Sequence, residues 1–260
     1  MPAPSIQKSP RTAAAHRSGS VPAGSPHAEF DRYAAGYDAG MENPLKKLAG
    51  SSADEFIDVK IRWLLAYEDQ LGHPPAATRL LDFGCGAGLL LKRLRHHGFR
   101  GRVQGCDVAA EMLAEASKTW NAGPRPPLDH FVPPRLPYAD RQFDIVVASA
   151  VLHHVPPAER EAVYREIARV LTPGGRFHVF EHNPLNPLTQ WVVRHTPIDA
   201  NAVLLMPGEV KRGMRQAGLA PPRSRGLMFF PPRWRSLRSL ERRLEWLPLG
   251  GQYVVTGHKR

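Results

Sequence analysis

The chain is short of cysteine, has no long apolar run and carries no acid in its first 28 residues. Its two cysteines, Cys85 and Cys106, cannot form a disulfide framework, and both fall where buried strands are expected to end, so they read as reduced core thiols. No stretch approaches the roughly 18 to 20 consecutive apolar residues that a membrane-spanning helix needs, and the first residues lack the apolar core of a secretory signal. The expectation is a cytoplasmic protein. The acid-free stretch 1–28 is rich in Pro, Ser, Ala and Gly and buries too little to offset the entropy of ordering, so it reads as a disordered basic tail. A cleaved organellar transit peptide is the competing reading, but a clear amphipathic helix is missing.

The formal net charge of +11 invites a nucleic-acid reading, and its distribution argues against one. Residues 1–28 hold +3, and residues 208–260 hold twelve Lys and Arg against three Glu. The intervening 29–207 are close to neutral, so the basic character lies outside the expected catalytic core.

From Glu29 to Gly72 the pattern is helical, with Phe56, Val59, Lys60, Trp63, Leu64 and Tyr67 three or four apart, which predicts an N-terminal helical cap over 29–72. The period then shortens. Arg79–Phe83, Arg102–Cys106, Asp129–Val132, Phe143–Ser149 and Arg176–Glu181 read as strands. Gly88–His97, Ala109–Trp120 and Pro157–Leu171 read as the helices between them. Strands alternating with helices of this length predict a parallel sheet with right-handed crossovers, in an α/β core over 79–181. Pro184 to Pro207 reads as an irregular insertion. The remainder, 208–260, predicts a helix to Ala217, a strand at Leu227–Phe230, an Arg-rich helix over Arg233–Leu247 and a last strand at Gln252–Gly257.

Chemistry is most legible at Asp82-Phe83-Gly84-Cys85-Gly86-Ala87-Gly88, a glycine-rich turn between an apolar strand and a helix. Glycines at alternate positions let the backbone turn sharply and approach a ligand that a Cβ would push away. Asp107 follows the next strand, where an acid can accept both hydroxyls of a ribose. The Gly-x-Gly-x-Gly spacing favours a nucleoside without a pyrophosphate.

Four co-linear motifs, DFGCGAG, GCDVAAEML, LPYADRQFDIVVASAVLHHV and REIARVLTPGGRFHVFE, resemble class I S-adenosylmethionine-dependent methyltransferases of the small-molecule type. The resemblance covers about Arg79 to Glu181. It implies a Rossmann-like fold: a mostly parallel seven-stranded sheet with helices on both faces and an antiparallel last strand. It also implies S-adenosyl-L-methionine as cofactor, held by Asp82, Gly84, Cys85, Gly86, Gly88, Asp107, Val108, Met112 and Ser149. The segment FDRYAAGYD resembles the family's cap, which places Tyr33 against the cofactor; Tyr33 and Tyr37 share one helical face and are equally readable as core packing. Asp129 lies early for the acid that holds the adenine amino group in such enzymes, which points to His130 or the backbone near Phe131.

An in-line displacement on a sulfonium requires a base only if the acceptor must lose a proton. His153, His154 and His182 follow strands at the carboxyl edge of the sheet and are the candidate bases, with Arg194 and His195 as candidates for neutralising an acidic acceptor. Each is also readable as a packed or solvated side chain, and no metal ligands are assigned. The expected reaction is methyl transfer to a small molecule such as a glycan, lipid precursor or secondary metabolite. RNA methylation and non-catalytic cofactor binding are the alternatives. Nucleic acid is disfavoured for want of a recognisable RNA-binding module. The Arg-rich helix sets Trp234, Leu237, Leu240, Leu244 and Leu247 on one stripe, which reads as packing on the domain, as contact with a membrane surface or lipid-linked acceptor, or as contact with RNA or another polyanion.

Overall fold

A computed structural model describes residues 52–72 and 77–260. The expected tail, Tyr33, Tyr37 and most of the expected cap lie outside those residues. Helix α1 (Ala53–Gln70) begins with a reciprocal cap: Ser52 Oγ accepts from the Glu55 amide, and Glu55 accepts from the Ser52 amide. Eight elements follow, strands alternating with helices except that β4 comes directly after β3: β1 (Arg79–Phe83), α2 (Leu89–His96), β2 (Arg102–Asp107), α3 (Ala110–Lys118), β3 (Leu128–His130), β4 (Phe143–Ser149), α4 (Arg160–Val170) and β5 (Leu171–His182). The chain closes with α5 (Pro187–Arg194), α6 (Pro207–Gln216), β6 (Arg223–Leu227), α7 (Arg238–Leu244) and β7 (Gln252–His258).

The strands form one seven-stranded sheet in the order β3-β2-β1-β4-β5-β7-β6. Every pairing is parallel except those of β7, which runs antiparallel to both β5 and β6. Alternation along each strand splits the core into two layers. Leu81, Val146, Phe177 and Val179 pack with Tyr164 and Ile167 of α4 and Met214 of α6. Leu80, Ile145, Val147 and Phe180 pack with Ile61 and Leu64 of α1 and Leu91 and Leu94 of α2. Helices therefore cover both faces, as the strands' near-continuous burial requires.

A buried polar network fastens α1 to the sheet. Arg176 of β5 donates to both Glu68 carboxylate oxygens, at 2.9 and 2.6 Å, and His178 bridges Glu68 Oε1 and Thr256 Oγ1. The guanidinium fork matches the carboxylate geometry, so both charges leave water in pairs.

Up to β5 the expected elements are present with shifted bounds, β3 ending at His130 instead of Val132 and β5 beginning at Leu171 instead of Arg176; three larger corrections lie after β5. The stretch 184–207 is not wholly irregular: Asn186 caps α5 by accepting from the Thr189 amide, and a 3₁₀ turn covers Pro197–Asp199. The strand expected at Leu227–Phe230 is Arg223–Leu227 instead, because pairing with β7 selects Arg223–Leu227 and the apolar run beyond it turns away at Met228 (φ 61). The Arg-rich helix is shorter than its apolar stripe, a 3₁₀ turn at Arg235–Leu237 followed by α7, and none of its residues is fully buried. Trp234 and Leu240 stay exposed, at 48% and 42%.

Candidate active site

The sheet order reverses between β1 and β4, and the crevice beyond their carboxyl ends is where open α/β sheets bind ligands. The glycine turn leaves β1 there. Gly84 and Cys85 both donate to the Cys106 carbonyl, at 2.8 and 3.0 Å, which ties the turn to β2. Gly84 has φ +72, and a Cβ on it would lie 2.6 Å from a Val151 methyl. Gly86 has φ +50 with only the Met112 methyl near its missing Cβ, so this backbone is bare toward the crevice.

Asp107 ends β2 with both oxygens engaged: Oδ2 accepts from the Gly86 amide at 2.8 Å, and Oδ1 from the Ala109 amide at 2.9 Å. Each carboxylate oxygen keeps further acceptor capacity, so the acid holds the turn and still presents acceptors to the crevice. A cavity of about 650 Å³ lies here, and its lining includes Gly84, Gly86, Asp107, Val108, Met112 and Ser149 together with His154, His182 and Asp199.

Most of the remaining residues singled out from the sequence do not line it. Cys85 and Cys106 are free, buried thiols. Gly88 turns into α2 with φ +75. Asp82 is buried beneath the turn, and its Oδ2 has no hydrogen-bond partner among the described residues. Burial, and then the nearby Asp107 charge, push the Asp82 carboxyl up to about 8 against the pull of Lys60. Asp129 accepts from Gln104 and Tyr138 through Oδ2 and is not part of the cavity lining, whereas Phe131 is. Arg194 and His195 are exposed on α5 and its cap, with His195 bonded to the Trp191 carbonyl, and neither reaches the cavity.

Two contributors were not legible as site residues. Lys60 of α1 is buried, lines the cavity and donates to Ser149 Oγ at 2.9 Å. Burial lowers its ammonium to about 8, opposed by the carboxylates of Glu181, Asp82 and Asp199. A lysine in the middle of an apolar helical stripe was the available signal. The second is Asp199, brought in by the 3₁₀ turn, for which sequence spacing offered none.

The histidines cluster around that aspartate. Past β4 the chain turns at Ala150 (φ 59), and Glu181 Oε1 accepts from the Val151 and Leu152 amides. His153 is wholly buried with Nδ1 2.5 Å from Glu181 Oε2. Burial alone would lower its imidazole, but Glu181 and Asp199 outweigh that and hold it up at about 9. His154, by contrast, faces the cavity with Nε2 3.4 Å from Asp199 Oδ1, and burial keeps it below the ordinary histidine value despite that acid. His182 also faces the cavity; burial and then the His153 charge lower it to about 4. The three histidines therefore separate into one enclosed ring and two that face the ligand space.

Comparison with known proteins agrees with this geometry. Residues 80–175 match a family model described as a methyltransferase domain. The chain is 31% identical over 173 residues to the ubiquinone biosynthesis O-methyltransferase of Ruegeria pomeroyi, covering 62% of this chain and 67% of that one. To the protein of the same name from Bordetella avium it is 27% identical over 185 residues, covering 66% and 73%. A solved S-adenosylmethionine-dependent methyltransferase from Archaeoglobus fulgidus has the same fold, with a TM-score of 0.56 at 15% identity over 80% of this chain and 95% of that one.

Proposed function

The chain belongs to the class I S-adenosylmethionine-dependent methyltransferases, and from that premise we propose that it methylates an oxygen of an apolar small molecule seated beside His154. The residues present fit the cofactor: the bare backbone at Gly86 admits a ligand that a Cβ would crowd, and Asp107, which lines the cavity, keeps acceptor capacity beyond its two backbone bonds. Asp107 is assigned the ribose hydroxyls and Gly84 and Gly86 the methionine portion, with Val108, Met112 and Phe131 walling the base. Lys60 supplies a buried cation for a carboxylate, and its bond to Ser149 fixes the direction of its ammonium.

S-adenosylmethionine supplies an electrophilic methyl group and departs as a neutral thioether. The chain's own part is to orient the acceptor, exclude water and take its proton. His154 is placed for that proton. Asp199 lies on the Nε2 side of the ring and favours the tautomer that keeps Nδ1 as an acceptor. His153, enclosed and shared between two acids, is a positioning residue for this edge rather than the base.

The carrying observation is that one cavity joins the glycine turn and Asp107 to an acid-oriented histidine. Its wall of Phe229, Phe230, Pro231 and Pro232 favours a flat apolar acceptor over an RNA strand, and the relatives named for O-methylation agree with oxygen as the nucleophile. The test offers the full chain labelled cofactor with phenolic, alcoholic and amine acceptors of graded apolarity. Label on phenolic or alcoholic oxygen is expected. Transfer confined to nitrogen or carbon, or to RNA, would overturn the reading.

The Arg-rich segment bears on the acceptor's source. Trp234, Leu240, Trp246 and Leu249 are exposed beside Arg235, Arg242 and Arg243, a composition suited to an anionic lipid surface. Such a contact would deliver an acceptor that partitions into membranes.

A further inference from the structure

Three segments, the loop after β4 at His153, the end of β5 at His182 and the 3₁₀ turn at Asp199, bring three ligand atoms to within 4.8 Å of one another. Asp199 Oδ1 lies 3.5 Å from His153 Nε2, and Oδ2 lies 3.8 Å from His182 Nε2. These separations are long for hydrogen bonds, whose usual N–O range ends near about 3.2 Å. They are close to the edge of a tetrahedron built on metal bonds of about 2.0 to 2.1 Å, which is roughly 3.3 to 3.4 Å.

A second observation points the same way. His153 is fully buried, yet its Nε2 has no hydrogen-bond partner among the described residues. Its other nitrogen is held by Glu181, itself anchored by two backbone amides. Once the ring has lost its Nε2 proton, a carboxylate gripping Nδ1–H leaves the Nε2 lone pair facing away from that carboxylate, the arrangement by which proteins orient a metal-binding imidazole. Glu181 and Asp199 also place two carboxylates in the interior within reach of one ring, a charge that a divalent ion would offset.

We propose that His153, His182 and Asp199 form a binding site for a divalent cation of the zinc class, oriented by Glu181 and open toward the cavity. Two imidazoles and one carboxylate suit zinc and its first-row neighbours better than magnesium or calcium, which prefer all-oxygen shells. On binding, the ion takes the place of any proton on His153 Nε2, which leaves to solvent, while Nδ1–H stays on Glu181. His182 and Asp199 both line the cavity, so the remaining coordination position faces the acceptor space. An acceptor hydroxyl bound there is polarised and gives its proton to His154; this last step rests on the acceptor reading above, whereas the binding of the ion does not.

The experiment titrates the untagged, chelator-treated full chain with Zn²⁺ by calorimetry and with Co²⁺ by visible absorption. One ion per chain is expected, with Co²⁺ bands of a four-coordinate nitrogen and oxygen site. Asp199→Asn and His182→Ala should each weaken binding by at least about 100-fold. Glu181→Gln, which alters only the orienting group, should weaken it by about 10- to 100-fold. Circular dichroism and cofactor affinity establish that each variant is folded. No saturable binding to the folded parent chain, or equal binding by all three variants, overturns the site. Methyl transfer by an ion-free chain would leave the methyltransferase reading standing and remove the ion from the reaction. Ion binding without transfer to any oxygen acceptor would do the reverse.

Discussion

At the scale of single residues, Asp107 and His154 carry the most distinct expectations. Asp107→Ala strips the acceptors assigned to a ribose and also frees the Gly86 and Ala109 amides, so S-adenosylmethionine affinity should fall by about 2 to 4 kcal/mol. Unchanged affinity by calorimetry in a folded variant would remove the ribose assignment. His154→Ala should lower turnover by about 10² to 10⁴ while cofactor affinity stays intact, because the proton moves only during the reaction. Near-normal turnover would mean that transfer here needs positioning alone. Among the three histidines, type and order were legible and roles were not. Enclosure of His153 and exposure of His154 to the cavity depend on Glu181 and Asp199, which arrive from other segments.

At the scale of elements, the glycine turn and the Arg-rich segment make opposite kinds of demand. The turn tolerates no side chain at Gly84, where a Cβ would collide with Val151 and the backbone sits at φ +72. Gly84→Val should therefore abolish cofactor binding, read by calorimetry; retained binding would place the cofactor elsewhere. The Arg-rich segment instead leaves Trp234, Leu240 and Trp246 exposed beside its arginines. Replacing Arg235, Arg242 and Arg243 together by Glu should lower co-sedimentation with vesicles containing anionic phosphatidylglycerol while soluble-acceptor turnover is unchanged. Equal co-sedimentation would assign these arginines to solvent. The alternating elements of the core were readable because burial on both faces of a parallel strand imposes a dense apolar run. The strand at Arg223–Leu227 was not, since its sequence, RSRGL, is polar and its place is set by pairing with residues 252–256 of β7 beside it.

For the whole molecule, the Glu68–Arg176–His178 network governs how α1 rides on the sheet. Burial would raise Glu68, yet His178 and Arg176 hold it below the usual carboxylate range, and burial lowers His178 against the pull of Glu68. Both groups have folded values below their unfolded ones. Each therefore adds stability at higher pH that is lost as pH falls, first below about 6.5 for the histidine and then below about 4.3 for the glutamate. The melting temperature should decline from pH 7 toward pH 4. Glu68→Gln should cost roughly 3 to 5 kcal/mol at pH 7 by leaving Arg176 buried without its anion, and should flatten the decline below pH 5. A variant with the parent's slope would show that the network is not the acid-sensitive element.

The sequence by itself determined the class of fold, the position of the cofactor turn and the acid after β2, because each is a local pattern: two-residue and helical periods, glycines where φ must be positive, an acid one strand away. Only tertiary structure decided what joins the residues expected at that edge. Strand order already set Ser149, His154 and His182 at the carboxyl ends of β4 and β5, but Lys60 comes from α1 and Asp199 from a 3₁₀ turn, and no spacing along the chain records that they meet the others. Their protonation and reach follow from burial and from carboxylates supplied at a distance, quantities that exist only once the sheet has closed around them.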